Sequence, residues 1–334
     1  MEKVINLGIP HVGEQIFEHF DTDGLIKCLD VSNTWRILVE NVLLKRWKGQ
    51  IIEACASKKT EIVKLLLERI EDINLNSRDN TGQNAFMVAC NNGHRDVVQL
   101  LLYFSDKNTD LNARDDKGRT AIMLACYKGH KDVVKLLLDH SEDKNIDVNA
   151  KTNGLELTAF MLACKEGHTD VVKLLLNHSK DKHIDLNAKT DYGHTALMFA
   201  CYEGHIDVVK LLMDHSVDKH IDLNAKTYGL GTTAFMLACK KGQKDVVELL
   251  LDYSEDENID LYAKTNYGGT VFNLGRTKAI RQLLLDHLGD KNINLYMKEK
   301  HSPKTARTIM ITVKTFFKRK QAKLSRFYRQ LRAP

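Results

Sequence analysis

The chain has 334 residues, 43% of them hydrophobic and 28% charged, long enough for two domains or one elongated array around a buried core. No apolar run approaches the roughly 20 residues a membrane-crossing helix requires, and MEKVINLGIPHVGEQ lacks the basic-then-apolar order of a secretory leader; the expected location is the cytoplasm or nucleus. The net charge of +5 is uneven: residues 300–334 hold eleven Lys and Arg and no acid, leaving −6 for the rest, so the overall balance argues for no general nucleic-acid affinity.

The first 48 residues contain no repeat and are expected to form three short helices. Ile9, Val12, Ile16, Phe17 and Phe20 keep helical spacing, and Pro10 suits a first helical turn. Asp21, Thr22 and Asp23 offer a cap before Leu25, Ile26 and Leu29; Ser32 or Asn33 can cap a third helix carrying Trp35, Leu38 and Val42. Three such helices make too small a core to stand alone, so they must lean on the adjoining body of the chain, on a partner, or on both. The pattern Ile9-Pro10, Ile16-Phe17, Phe20, Leu25, Val31, Trp35 and Leu38 resembles the F-box. That resemblance implies docking onto a Skp-type adaptor of a cullin-based ubiquitin ligase, with Ile9, Pro10, Ile16, Phe17, Phe20, Leu25, Val31 and Trp35 as the adaptor-binding residues. The alternative is a helical cap that shields the first unit of the body.

From about residue 49 to 290 one pattern recurs. TAIMLACYKGHKDVVKLLLDHS, TAFMLACKEGHTDVVKLLLNHS and TALMFACYEGHIDVVKLLMDHS begin at Thr120, Thr158 and Thr195, with kindred copies from Asn84 and Thr233 and a less complete one from Ile51. Within a copy the distance from the opening residue to the end of the Leu-rich triplet is fixed (84 to 102, 120 to 138, 158 to 176), while the connectors vary in length. Packed helices cannot absorb an insertion and loops can, so this is a stack of about seven units, the first and last atypical. In each unit the Thr is an N-cap, Phe160, Met161, Ala163 and Cys164 face a neighbour, Gly167 ends the first helix in a left-handed turn, and Val171 to Leu176 supply the second. IDLNAKT is expected to return the chain in extended form. The spacing of Thr158, Ala163, Gly167-His168, Val171-Val172, Leu174 to Leu176, Asp185, Asn187 and Ala188 resembles the ankyrin repeat, with Thr-Ala-x-Met where that family has Thr-Pro-Leu-His. It implies an all-α solenoid. The shortened TVFNLGRTKAIRQLLLDH reads as its closing cap.

Cys55, Cys90, Cys126, Cys164, Cys201 and Cys239 share one slot. Packed helices lie about 8–10 Å apart and a disulfide needs Cα atoms within about 7 Å, so these thiols read as small buried apolar groups. His94, His130, His168 and His205 share another slot and read as turn and helix-end residues rather than metal ligands. There is no phosphate-cradling Gly loop, His-Glu-x-x-His or Gly-x-Ser-x-Gly; a non-catalytic protein without cofactor or metal is expected.

Slots that change between copies are free to contact something else. They are Tyr127-Lys128, Lys165-Glu166, Tyr202-Glu203 and Lys240-Lys241 after the Ala-Cys pair, and Arg119, Tyr192, His194, Tyr228 and Leu230 at the turn tips. These thirteen residues are the expected target-binding set, tyrosine being a favoured interface anchor. Solvated positions are the alternative. Residues 291–334 form a tail expected to be a basic helix, with Met310, Val313, Phe317, Leu324, Phe327 and Leu331 on one stripe. Nucleic acid or an acidic membrane enters only through this tail; a helix packed on the last unit is the other reading. The two functions that emerge are a monomeric substrate receptor for a ubiquitin ligase, bringing an unknown target to the adaptor, and a protein-binding scaffold without ubiquitin.

Overall fold

The computed structural model describes residues 10–29, 31–105, 109–254 and 259–287; the expected basic tail helix and Ile9 lie outside them. The described backbone contains helices and turns and no strand, and none of its helices is long and apolar enough to cross a membrane.

Helices α1 (Pro10–Phe17), α2 (Thr22–Cys28) and α3 (Asn33–Trp47) make the head. The caps fall where the sequence puts them: Asp21 Oδ1 accepts from the Gly24 amide at 2.7 Å and Ser32 Oγ from that of Trp35 at 3.3 Å. Phe17 is wholly enclosed, with the Phe20 and Trp35 rings edge-on at 5.8 and 5.4 Å. Leu25, Val39 and Leu43 join it, and this core runs without a break into that of the body. Helix α3 lies on the second helix of the first unit. There Glu40 pairs with Arg69 at 2.7 Å, and Asp23 with Lys59. Such partly exposed pairs are worth about 0–1 kcal/mol each, so apolar burial holds the head to the stack.

The units come in chain order. Unit one has α4 (Ile51–Ala56) and α5 (Thr60–Arg69); unit two α6 (Ala85–Asn91) and α7 (Arg95–Tyr103); unit three α8 (Ala121–Lys128) and α9 (Lys131–Asp139). Unit four has α10 (Ala159–Glu166) and α11 (Thr169–His178); unit five α12 (Ala196–Glu203) and α13 (Ile206–Asp214); unit six α14 (Ala234–Lys241) and α15 (Lys244–Tyr253). Unit seven keeps one turn, α16 (Val271–Leu274), against α14, and helical backbone over 278–287 then buries Ile280 and Leu284. The first helices pack along each other to form an inner layer, and the second helices form an outer one.

Inner helices α6, α10, α12 and α14 begin on a side-chain cap. Thr158, Thr195 and Thr233 accept from the Met161, Met198 and Met236 amides at 3.3, 3.4 and 3.3 Å, and Asn84 does the same for Met87 at 2.9 Å. Helices α8, α10, α12 and α14 end on a left-handed glycine, such as Gly167 at φ +77°, a region that costs an L-residue roughly 1–2 kcal/mol.

The histidines turn out to join units. Nε2 of His94, His130, His168 and His205 meets the main-chain carbonyl of Ala56, Asn91, Tyr127 and Lys165 at 3.0, 2.9, 2.9 and 2.8 Å, each in the preceding unit. A carbonyl only accepts, so Nε2 carries the proton. In unit six Gln243 Nε2 donates to Tyr202 O at 3.0 Å, the same joint made by an amide.

A second row runs through the connectors. Asn112, Asn149 and Asn187 accept from the amides of Asp147, Asp185 and Asp222 at 2.8, 2.9 and 2.8 Å. They donate to the carbonyls of Asn145, His183 and His220 at 2.7, 2.7 and 2.8 Å, three residues held at positive φ. The connector is therefore not extended as expected. Asp147 folds back to take the Asn149 amide at 3.0 Å, an Asx turn. The extra residues wind around Ser141, whose carbonyl accepts from Ile146 at 2.8 Å, so that Ile146 re-enters the core.

All six repeat cysteines are buried and unpaired, and burial alone pushes the Cys55 thiol up to about 12, with Cys239 raised to a similar value. An aromatic disulfide reagent is expected to titrate half-buried Cys28 first in the native chain, the six repeat thiols appearing only in denaturant. Rapid native reaction of more than one thiol would contradict this packing.

Candidate functional site

Between the connector and each inner helix the chain makes a short finger, closed by its own backbone bonds: the Thr190 amide donates to His194 O and that of Thr227 to Thr232 O, both at 3.0 Å. Neighbouring fingers are stitched together, Asn153 N to Lys117 O at 3.0 Å, Tyr228 N to Tyr192 O at 3.0 Å and Asn266 N to Leu230 O at 2.9 Å. The tips are thus held at fixed spacing over the inner helices. Tyr192 and Tyr228 stand 61% exposed there and Leu230 49%.

At the junction of units five and six, fingers and inner helices enclose a groove of about 500 Å³. Seven of the thirteen expected target-binding residues line it: Lys165, Tyr192, His194, Tyr202, Glu203, Leu230 and Lys240. Its apolar floor is Met198, Phe199 and Leu237. His194 stacks on Phe199 at 5.7 Å between centroids, and burial holds its imidazole below the usual range, so this wall is neutral at pH 7. Lys165 is bonded to Glu166 at 2.8 Å, and that bond, with the Glu166 and Glu203 charges, raises its ammonium. Lys241 lies over the Tyr202 ring at 4.1 Å. Sequence reasoning passed over Phe199, although its slot carries Val88, Leu124, Leu162 and Leu237 in the other copies; the change at that slot was the available signal.

Residues 51–152 and 142–227 match the family description "Ankyrin repeats (3 copies)", and 230–266 match "Ankyrin repeat". The chain belongs to the ankyrin-repeat family. The ankyrin repeat domain of Bcl-3, described as a unique member of the IkappaB protein family, superposes with a TM-score of 0.59 at 23% identity, over 70% of this chain and 96% of that one. The human ASB11 ankyrin repeat domain does so with 0.58 at 22%, over 72% and 98%. A comparison with curated protein sequences finds no match. Ankyrin arrays are protein-interaction modules, and solenoids of this kind use extended concave surfaces for binding.

The remaining expected residues of this ankyrin protein are dispersed. Arg119 is not presented to a partner: its Nε and Nη2 grip the buried Asp115 carboxylate at 2.7 and 2.6 Å, locking the finger of unit three. Tyr127 and Lys128 pair with each other, ammonium to ring centroid 5.4 Å, one unit away from Lys165 and Glu166. Tyr228 stands beside the groove without lining it.

In the head, Phe17 and Leu25 are fully enclosed, so neither offers the expected surface to an adaptor; they shape the head from within. Ile16 and Trp35 are half-buried, Phe20 is 38% and Val31 54% exposed, and Pro10 opens α1. Ile37, 61% exposed on α3, is a further exposed apolar residue of the head and was missed, because its neighbours Leu38 and Val39 carried the helical stripe inward.

Proposed function

We propose that this ankyrin protein is a non-catalytic substrate receptor of a cullin-based ubiquitin ligase, acting as a monomer in the cytoplasm or nucleus. The head would dock on the Skp-type adaptor and the concave face would hold the target. The observation that supports this reading is the exposed apolar surface of Phe20, Val31 and Ile37 on a head whose own core is already complete. A mere cap would put its apolar groups against the stack; these three large apolar side chains, all within residues 20–37, are left to solvent instead.

The test is co-purification with the Skp-type adaptor. Val31→Asp with Ile37→Asp changes only exposed groups and is expected to cut adaptor recovery about tenfold or more, as loss of central apolar contacts does. Trp35→Ala is a poor choice, since it strips the edge-on partner of Phe17 and would loosen the head itself. If recovery is unchanged by the double substitution while the fold is kept, the head is a cap and the chain a scaffold without ubiquitin. That second reading has its own support in helix α3, which lies on α5 and buries Leu38, Val39, Val42 and Leu43.

A further inference from the structure

We infer that the groove between units five and six receives an extended peptide segment with one bulky apolar side chain, flanked by Asp or Glu on the side facing the end of the stack. This rests on the concave face being the target-binding side. Shape comes first. Adjacent inner helices lie about 8–10 Å apart, whereas a helix with its side chains is about 10–12 Å across, so a single side chain enters a notch between two units and a whole helix does not. The notch is floored by Phe199 and Leu237 and flanked by the exposed Tyr192 and Leu230. These are apolar walls with a few polar groups at the rim, the make-up of a specific pocket.

Charge sets the direction. On the unit-four side Lys165 is tied to Glu166 and faced by Glu203, so that rim is neutralised. On the unit-six side the finger and inner helix, residues 226–242, carry Lys226, Lys240 and Lys241 and no acid. Among the described residues neither Lys240 nor Lys241 has a carboxylate partner. The outer helix of the same unit, α15, holds Asp245, Glu248 and Asp252 against one Lys. Lysines in the last turn of α14 also suit the helix dipole, but Lys240 lines the groove itself and Lys241 lies over the Tyr202 ring in its wall, whereas Lys226 gives its ammonium to the Lys264 carbonyl at 3.1 Å. One unit therefore turns a cationic face to the groove and an anionic face away from it, which selects an acidic flank.

Random twelve-residue peptides displayed on phage, panned on the full chain, supply the probe; enriched sequences are synthesised with a fluorescein label and titrated by anisotropy. Enrichment of a Phe, Trp, Leu or Met next to Asp or Glu is expected. Affinity should fall about tenfold in Lys240→Glu with Lys241→Glu, and by a similar factor in Tyr192→Ala with Leu230→Ala. Added salt should weaken it, and Tyr103→Ala, on the outer helix α7, should leave it unchanged. Enriched peptides without acids, or no enrichment, overturn the inference. Peptides insensitive to both pairs but lost in Tyr127→Ala with Lys128→Glu overturn it while sparing the concave-face reading; peptides insensitive to all three pairs overturn both.

Discussion

Phe160→Ala is expected to destabilise the array by about 3–5 kcal/mol, the range for emptying a large aromatic site in a core that cannot collapse. Phe160 is 2% exposed on α10 in the middle of the stack, between inner helices on either side. In a stack each unit is held only by its neighbours, so a fault at the centre should weaken coupling between the two ends as well as stability. The chain supplies a reporter for this, because both its tryptophans, Trp35 and Trp47, lie in the head. In urea the native chain should lose far-ultraviolet ellipticity and shift its tryptophan fluorescence together. In the variant ellipticity should fall first and the fluorescence later. Coincident curves displaced by one common amount would mean that the array unfolds as a single block, and would refute nearest-neighbour coupling.

A second large effect is expected at Gly167, and it can be separated from simple backbone strain. Gly154 and Gly167 have nearly the same φ, +75° and +77°. A Cβ at Gly154 meets nothing within 4 Å, whereas one at Gly167 would lie 2.5 Å from Nδ1 of His205. Gly154→Ala should therefore cost only the left-handed conformation, about 1–2 kcal/mol. Gly167→Ala should cost about 3 kcal/mol or more, because it also pushes the imidazole off the Lys165 carbonyl. With His205→Ala in the background the ring is gone, and Gly167→Ala should become cheaper by about 1 kcal/mol or more. Equal costs at both glycines, or strict additivity in the cycle, would show that the contact carries no weight.

How much of this could be read in advance depended on whether a residue acts within its own unit. The caps at Thr158 and Thr195, the left-handed Gly167 and the buried Cys164 are local or strictly periodic, and spacing alone found them. What a side chain does to the next unit was hidden. His168 reads as a turn residue until the Tyr127 carbonyl is seen opposite it, and that contact spans 41 positions of chain. Arg119 looked free because it varies between copies, yet it is bound to Asp115, in the slot where unit two carries Asp79 and later fingers carry Thr152, Thr190 and Thr227. The groove was legible as a set of candidates but not as a place, since its walls come from three units and its floor from Phe199, which pattern alone assigns to the core. The connector failed for a related reason: alternation in IDLNAKT suits an extended chain, but Asp185 and Asn187 bind main chain and turn it instead.

The joints made by His94, His130, His168, His205 and Gln243 all land on main-chain oxygen. Every amino acid owns that oxygen, so a joint places no demand on what its neighbour's side chain happens to be. Copies can in consequence be duplicated, deleted or exchanged by unequal crossing-over without inventing new connections, while the outward letters of each copy drift independently. A lineage with this hardware can retune its reach and its quarry by changing the number and order of modules, long before it needs a new way of building one.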